Sequence, residues 1–244
     1  MPDTLPVNQI IGIHERLVEV FSESGDPIAP PGIRERGLIE SASNRPKTGL
    51  GKIMKYTTVV MKGAALFHSL VANHAFHNGN KRTALVSLVT YLDENHRRLI
   101  ASDEEIFDFV VAAAQGYVPG TERPSHVDIL VTQIGTWIEQ HSQHVTDTAR
   151  EMKINEFLMH VVRIGARVET RRESFIIFGS LNKSIRVSRS TRKLGGTTIR
   201  RYLRVLGLTE SKTGITFQQF QAGLVPEQAW TTGLMAVLRR LAHA

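Results

Sequence analysis

With 244 residues, 41% of them hydrophobic and 22% charged, the chain has the composition of a globular protein and the length for one large domain or two smaller ones. It contains no cysteine, which excludes disulfides, thiolate metal sites and a cysteine nucleophile. The net charge of +7 is unevenly spread. Residues 1–152 carry 14 Lys and Arg against 18 Asp and Glu, whereas residues 153–244 carry 16 against 5. This asymmetry predicts two functional units, one mildly acidic and one strongly basic. Met1–Ile13 shows no charged-then-apolar signal and no run of ~18 apolar residues occurs, so the expectation is a cytoplasmic protein without a membrane span.

Taken in chain order, Asn8–Phe21 has Ile10, Ile13, Leu17 and Val20 at helical spacing, and Gly25–Gly32 is a Gly/Pro-rich break. Ile33–Ser43 reads as a short helix stopped by Asn44-Arg45-Pro46, and Lys55–Asn73 as a longer one. Asn80–Asp93 is apolar on nearly every side, which belongs in the middle of a bundle. Ser102 with Glu105 forms a capping box that opens a helix over Asp103–Ala114. Ser125–His141 is amphipathic. The polar stretch His141–Arg150 marks the boundary between a domain over 1–143 and a second over 150–244. In the second, Met152–Val168 reads as helix, Ser174–Arg189 as strands, Gly195-Gly196 as a turn, and Thr197–Leu206 as a Thr-capped helix. Glu227–Ala242 reads as helix. The fold class expected is mainly α, a helical bundle followed by a smaller basic domain, helical or α+β.

Chemistry concentrates in His74-Ala75-Phe76-His77-Asn78-Gly79-Asn80-Lys81-Arg82-Thr83, between two apolar helices. A hydrophobic bundle cannot satisfy so dense a polar cluster. If a helix starts near Asn80, its first amides are unpaired at the positive end of the dipole, and Lys81 and Arg82 add two cations there. That describes a phosphate cradle, with Gly79 permitting close backbone approach. His74, on the preceding loop, suits a general base at neutral pH.

The segment His74-x-Phe76-x-Asn78-Gly79-Asn80-Lys81-Arg82 resembles the core motif of the Fic/Doc family, His-x-Phe-x-(Asp/Glu)-Gly-Asn-Gly-Arg-x-x-Arg. Lys81 stands where the Fic pattern has its last Gly, and Leu85 where it has its final Arg, which resembles the Doc branch. Gly32-Ile33-Arg34, Gly37-Leu38-Ile39-Glu40-Ser41-Ala42 and Arg45-Pro46 resemble the upstream helix of Doc-like proteins. The resemblance covers roughly residues 8–140 and implies a Fic/Doc helical bundle.

By carry-over from the family, His74 would deprotonate a Ser or Thr hydroxyl of a target protein, a translation factor in the Doc-like case, and Phe76 would anchor the loop. Gly79 and Asn80 would form the anion hole, and Lys81 and Arg82 would hold the phosphates of ATP or another nucleoside triphosphate. Mg2+ is the implied metal. The family's acidic magnesium ligand aligns with Asn78, whose neutral oxygen is a weaker ligand for a hard cation. The Doc-like pattern implies transfer of the terminal phosphate, with AMPylation by the same site as the alternative. Thr90 with Glu94-Asn95 matches the family's inhibitory pattern by chance, so a separate antitoxin partner is expected.

In the second domain no acidic residue occurs from Ser174 to Thr209, while Lys183, Arg186, Arg189, Arg192, Lys193, Arg200, Arg201 and Arg204 all fall there. Such density favours polyanions, nucleic acid among them, with Tyr202 and Phe178 as candidate base-stacking rings. A competing reading is a nucleic-acid-binding regulator with a degenerate Fic domain, for which Asn78 in place of the acid is the best support.

Overall fold

The computed structural model describes residues 4–51, 53–144, 151–180, 183–221, 223 and 227–244. The chain divides into two compact units, one of Met1–Gln143 with Leu234–Ala244 and one of His144–Gly233. The division by sequence gave 150–244 to a single domain; here its last eleven residues lie with the first unit. Part of the polar stretch over 141–150 falls outside the described residues.

The first unit is helical. Helix α1 (Val7–Phe21) opens after Pro6, whose carbonyl accepts from the Gln9 and Ile10 amides. Its buried stripe is Ile10, His14, Leu17 and Phe21, with Val20 exposed. The stripe is therefore rotated from the one expected, and a histidine takes a core position. Helix α2 (Arg36–Asn44) runs into a short 3-10 turn at Arg45–Lys47, then the β1 (Gly49–Leu50) and β2 (Ile53–Met54) hairpin.

Helix α3 (Val59–Asn73) starts four residues later than its apolar pattern suggests. Thr58 is extended and its side chain accepts from the Met61 amide at 3.1 Å, so the cap sets the boundary. Helix α4 (Asn80–Glu94) follows the motif loop, and α3 packs against it and against α2. Strand β3 (Arg97–Leu99) pairs with β4 (Ser142–His144). Between them, α5 (Asp103–Ala114) has the expected capping box, Ser102 N donating to Glu105 Oε2 at 2.8 Å and Glu105 N to Ser102 Oγ at 3.3 Å. The bonds that Ser102 N and Ser102 Oγ donate to Oε2 hold the Glu105 carboxyl below its usual pKa. Helix α6 (Val127–Gln140) closes the bundle on α3. Rings of Phe67, Phe109, Trp137 and His141 stack in one column with centroid spacings of 5.1, 3.8 and 4.2 Å.

The second unit mixes helix and sheet. Strand β5 (Met152–Lys153) leads into α7 (Ile154–Arg163). Helix was expected through Val168, but Gly165 at φ 96° turns the chain, with Ala166 N donating to Val161 O at 2.9 Å. Val168 instead lies in β6 (Arg167–Thr170), which joins β7 (Ser174–Phe178) and β8 (Ser184–Ser188) in an antiparallel sheet of order β6-β7-β8. Strand β9 (Lys193–Leu194) pairs with β5. Helix α8 (Gly196–Leu206) has extended Gly195 as its N-cap and no side-chain cap. The predicted Gly-Gly turn and Thr cap are therefore both replaced: Gly196 and Thr197 are already helical. Short helices α9 (Glu210–Thr213) and α10 (Phe217–Gln221) follow. The core is built by Phe157 and Val161 of α7, Ile177 and Val187 of the sheet, and Ile199 and Leu203 of α8.

Helix α11 (Glu227–Arg240) carries the chain across the division of the two units. Among the described residues no helix is long and apolar enough to cross a membrane.

Candidate active site

The motif loop is tied to the chain before α2. Ala75 O accepts from the Arg34 and Glu35 amides at 2.9 and 3.1 Å, and His77 N donates to Gly32 O at 3.1 Å. Phe76 is buried, faces Ile33 across a β-bridge and stacks on His14 at 4.0 Å. Asn80 spans the loop: its Oδ1 accepts from Phe76 N at 3.0 Å and its Nδ2 donates to Phe76 O at 2.9 Å. Asn80 thus fixes the loop's curvature. His74 ends α3 in the left-handed region, φ 50° and ψ 48°, and is exposed. A non-glycine residue in that region costs energy that the surrounding bonds must hold, a feature that clusters at functional sites.

Gly79 forms the N-cap of α4 at φ 77°, and a Cβ there would meet Ile28 at 3.0 Å. No side chain caps α4. Gly79 N is occupied by Asn78 Oδ1 at 2.6 Å, whereas the amides of Asn80, Lys81 and Arg82 meet no acceptor among the described residues. They open at the positive end of the helix dipole, where an anion is favoured. His74, His77, Asn78, Gly79, Asn80, Lys81 and Arg82 all line one cavity of about 330 Å³.

The two cations divide their work. Arg82 is buried, donates to the Asp26 main-chain oxygen at 2.9 Å and lies 5.0 Å over the Phe21 ring. Burial pushes its pKa down and Asp26 opposes the shift. Lys81 reaches solvent, and its Nζ donates to the main-chain oxygen of Ala244 at 2.7 Å. Leu241, Ala242 and Ala244 form one wall of the cavity. That segment is held by a bidentate Arg240–Glu104 pair at 2.7 and 3.0 Å, by Arg240 lying 3.9 Å from the Phe107 centroid, and by a 2.5 Å His243–Asp26 contact.

Sequence reasoning missed this wall and missed His14. The imidazole Nε2 accepts from Gly32 N at 3.4 Å, which leaves Nδ1 protonated to donate to Thr83 Oγ1 at 3.0 Å. Burial first, then the Arg82 guanidinium, push the His14 pKa down to about 4. The available signal was register: His14 falls four residues after Ile10 and three before Leu17.

For a metal, the donor set does not fit. Among the described residues no three His, Asp or Glu converge. Asn78 offers one neutral oxygen, already accepting from Gly79 N, while its Nδ2 donates to Ala29 O at 2.8 Å. Hard divalent cations need several oxygens, usually with a carboxylate.

The eight basic residues singled out in the second unit are all exposed but do not share one face. Arg186 is on the sheet face opposite the core, since its neighbour Val187 points inward. Lys183 lies in the β7–β8 connection. Arg189 and Arg192 lie in the connection from β8 to β9, Lys193 in β9, and Arg200, Arg201 and Arg204 along α8. Tyr202 is half-buried against Phe157 at 6.1 Å, and Phe178 is half-buried beneath Arg167 at 4.5 Å.

Comparison with known proteins finds similarity over the same segment. Residues 4–92 match the model of the Fic/DOC family. Over 69 residues, 28% of this chain, it is 39% identical to a protein of Mycolicibacterium smegmatis (strain ATCC 700084 / mc(2)155) named Toxin Doc. The match spans 53% of that protein, so the chain covers about half the length of the curated relative. Cradle, loop and upstream helix all fall inside residues 4–92, the part of the chain that is similar to the Fic/DOC family.

Proposed function

We propose that the first unit is a nucleotide-dependent protein phosphotransferase of the toxin type. The carrying observation is that His74 and the open amides of Asn80, Lys81 and Arg82 line one cavity of about 330 Å³. In the proposed step His74 takes the proton of a target Ser or Thr hydroxyl. The oxygen then forms a bond to the γ-phosphorus of a nucleoside triphosphate, and the bond from that phosphorus to the β–γ bridging oxygen breaks. A nucleoside diphosphate leaves, its new charge held by the α4 amides and Lys81. Phosphoryl transfer needs mainly positioning and charge neutralisation, which a cradle of this kind supplies. Any magnesium enters with the substrate, on the oxygens of the triphosphate itself.

Leu85 supports terminal-phosphate transfer over AMPylation. It stands where the Fic pattern has its last arginine and is fully buried, and among the described residues Arg82 is the one arginine that lines the cavity. The name Toxin Doc borne by the relative supports a protein target and an antitoxin partner; the target class we propose is a cytoplasmic translation factor.

The test uses cytoplasmic extract with ATP labelled at either the α- or the γ-phosphate, comparing wild type with His74→Ala. A γ-labelled protein band lost in the variant is expected. An α-labelled band would replace the kinase reading with nucleotidyl transfer, and no His74-dependent band with any nucleotide would refute both.

A further inference from the structure

The second unit carries 15 Lys and Arg against 7 Asp and Glu over residues 144–233, and the site in the first unit does not use them. Their distribution is decided by one short ladder. Strands β5 and β9 pair antiparallel, with Met152 opposite Leu194 and Lys153 opposite Lys193. Strand β5 leads into α7 and β9 leads, through Gly195, into α8, so the ladder ties the start of each helix to the other's strand. It also sets two exposed lysines directly across from one another, an arrangement that costs stability unless an anion is shared. The acids at this end are Glu151, 3.5 Å from Lys193, and Glu156 in the first turn of α7. On the α8 side there are none between Ser174 and Thr209.

From the ladder the charge continues along α8. Ile199, Leu203 and Leu206 turn inward, and Arg200, Arg201 and Arg204 outward. Among the described residues none of these three, nor Arg192, pairs with a carboxylate. Two of the guanidinium groups lie near rings, Arg200 at 4.4 Å from the Phe217 centroid and Arg201 at 5.5 Å from Tyr202. Such contacts orient arginine without neutralising it and lower the ordering cost of a phosphate contact. Arg200 and Arg204 are one helical turn apart, about 6 Å along the helix axis, which lets them meet separate phosphates of a duplex.

We propose that the surface of Lys153, Arg192 and Lys193, continued by Arg200, Arg201 and Arg204, binds a nucleic-acid duplex through its phosphates. The partner is double-stranded because stacking is absent. Among the described residues no aromatic ring is among the large exposed apolar side chains, and Phe178 and Tyr202, the candidates for stacking, are half-buried under or against other side chains. A single strand would need such rings. A duplex offers two rows of phosphate and asks only for placed cations. Arg186 lies outside the surface, on the far face of the sheet.

The experiment uses the full chain and fluorescence anisotropy with 20-base-pair RNA and DNA duplexes, a 20-nucleotide single strand of the same sequence, and vesicles of anionic lipid. The expected result is duplex binding, tighter than to the single strand or the vesicles, whose log–log salt dependence has a slope of about −4.5 to −5.4 for five or six phosphate contacts. The double variant R200Q/R204Q loses at least tenfold in affinity and about two units of slope, and R167Q/R186Q, on the far face of the sheet and with the same change in net charge, loses less than threefold. Circular dichroism confirms that both variants keep their fold. Binding to either duplex supports the proposal, and the tighter one identifies the partner as RNA or DNA. Equal losses in the two double variants, preference for the single strand or the vesicles, or no duplex binding would overturn it.

Discussion

His14 and His68 make the first unit sensitive to acid. Burial is the leading cause at both, with Arg82 adding to it at His14 and Arg45 at His68, and each pKa is pushed down to about 4 from 6.5. A histidine with a depressed native pKa takes up its proton more readily in the unfolded chain. Its stabilising share is therefore complete above pH 6.5 and is lost as pH falls from 6.5 toward 4. From pH 7 to pH 5 each should cost on the order of 2 kcal/mol. Urea unfolding at the two pH values should show the loss, and His14→Gln should remove its portion of the slope. A slope unchanged by that variant would mean that His14 is protonated alike in both states. Gly79→Ala is a second expectation at this scale. Its φ of 77° and the 3.0 Å approach to Ile28 should make the alanine destabilising by ~1–3 kcal/mol, read as a shift in the urea midpoint. The polar density of residues 74–83 made the cradle legible in the sequence. What was not legible was the sharing of labour between Lys81 and Arg82, because adjacent helical residues point in different directions and only packing decides which is buried.

The elements whose limits are set by local chemistry were the readable ones. The Ser102–Glu105 box opens α5 where the spacing placed it, and α4 is buried on most sides as its composition requires. Where tertiary pairing decides, the pattern misled: Val168 has helical spacing but belongs to β6, because the pairing of β6 with β7 outweighs local preference. The docking of Leu234–Ala244 is of the same kind. Nothing local in those residues says that Val237, Leu238 and Leu241 will be buried in the first unit. Lys81 meets a main-chain oxygen of this segment, so a phosphate must take that bond over. Leu241→Asp places a charge at a buried position, which unseats the segment. Inorganic triphosphate, followed by isothermal titration, should then bind about tenfold more tightly (~1.4 kcal/mol) than to wild type. Equal affinity would show that the Lys81–Ala244 bond does not compete with phosphate.

At the scale of the whole chain, the asymmetry of charge was visible from the first count, but the reason for two units is their cores. The second core is contributed entirely by residues from Met152 to Phe220, whereas the column of Phe67, Phe109 and Trp137 belongs to the first. Each core excludes water on its own account, so each should unfold cooperatively on its own account. Phe157 tests this. It is fully buried, and its ring lies 5.9 Å from Phe220 at a near-perpendicular angle and 6.1 Å from Tyr202. Phe157→Ala removes that ring and leaves a cavity, at a cost of ~3–5 kcal/mol to the second core. Scanning calorimetry of the full chain should resolve two transitions, of which the variant lowers one and leaves the other in place. His74-dependent labelling, which uses only the first core, should persist at temperatures between them. A single transition that moves as a whole would instead mean that the two cores melt as one cooperative body, and labelling would then be lost together with the second unit.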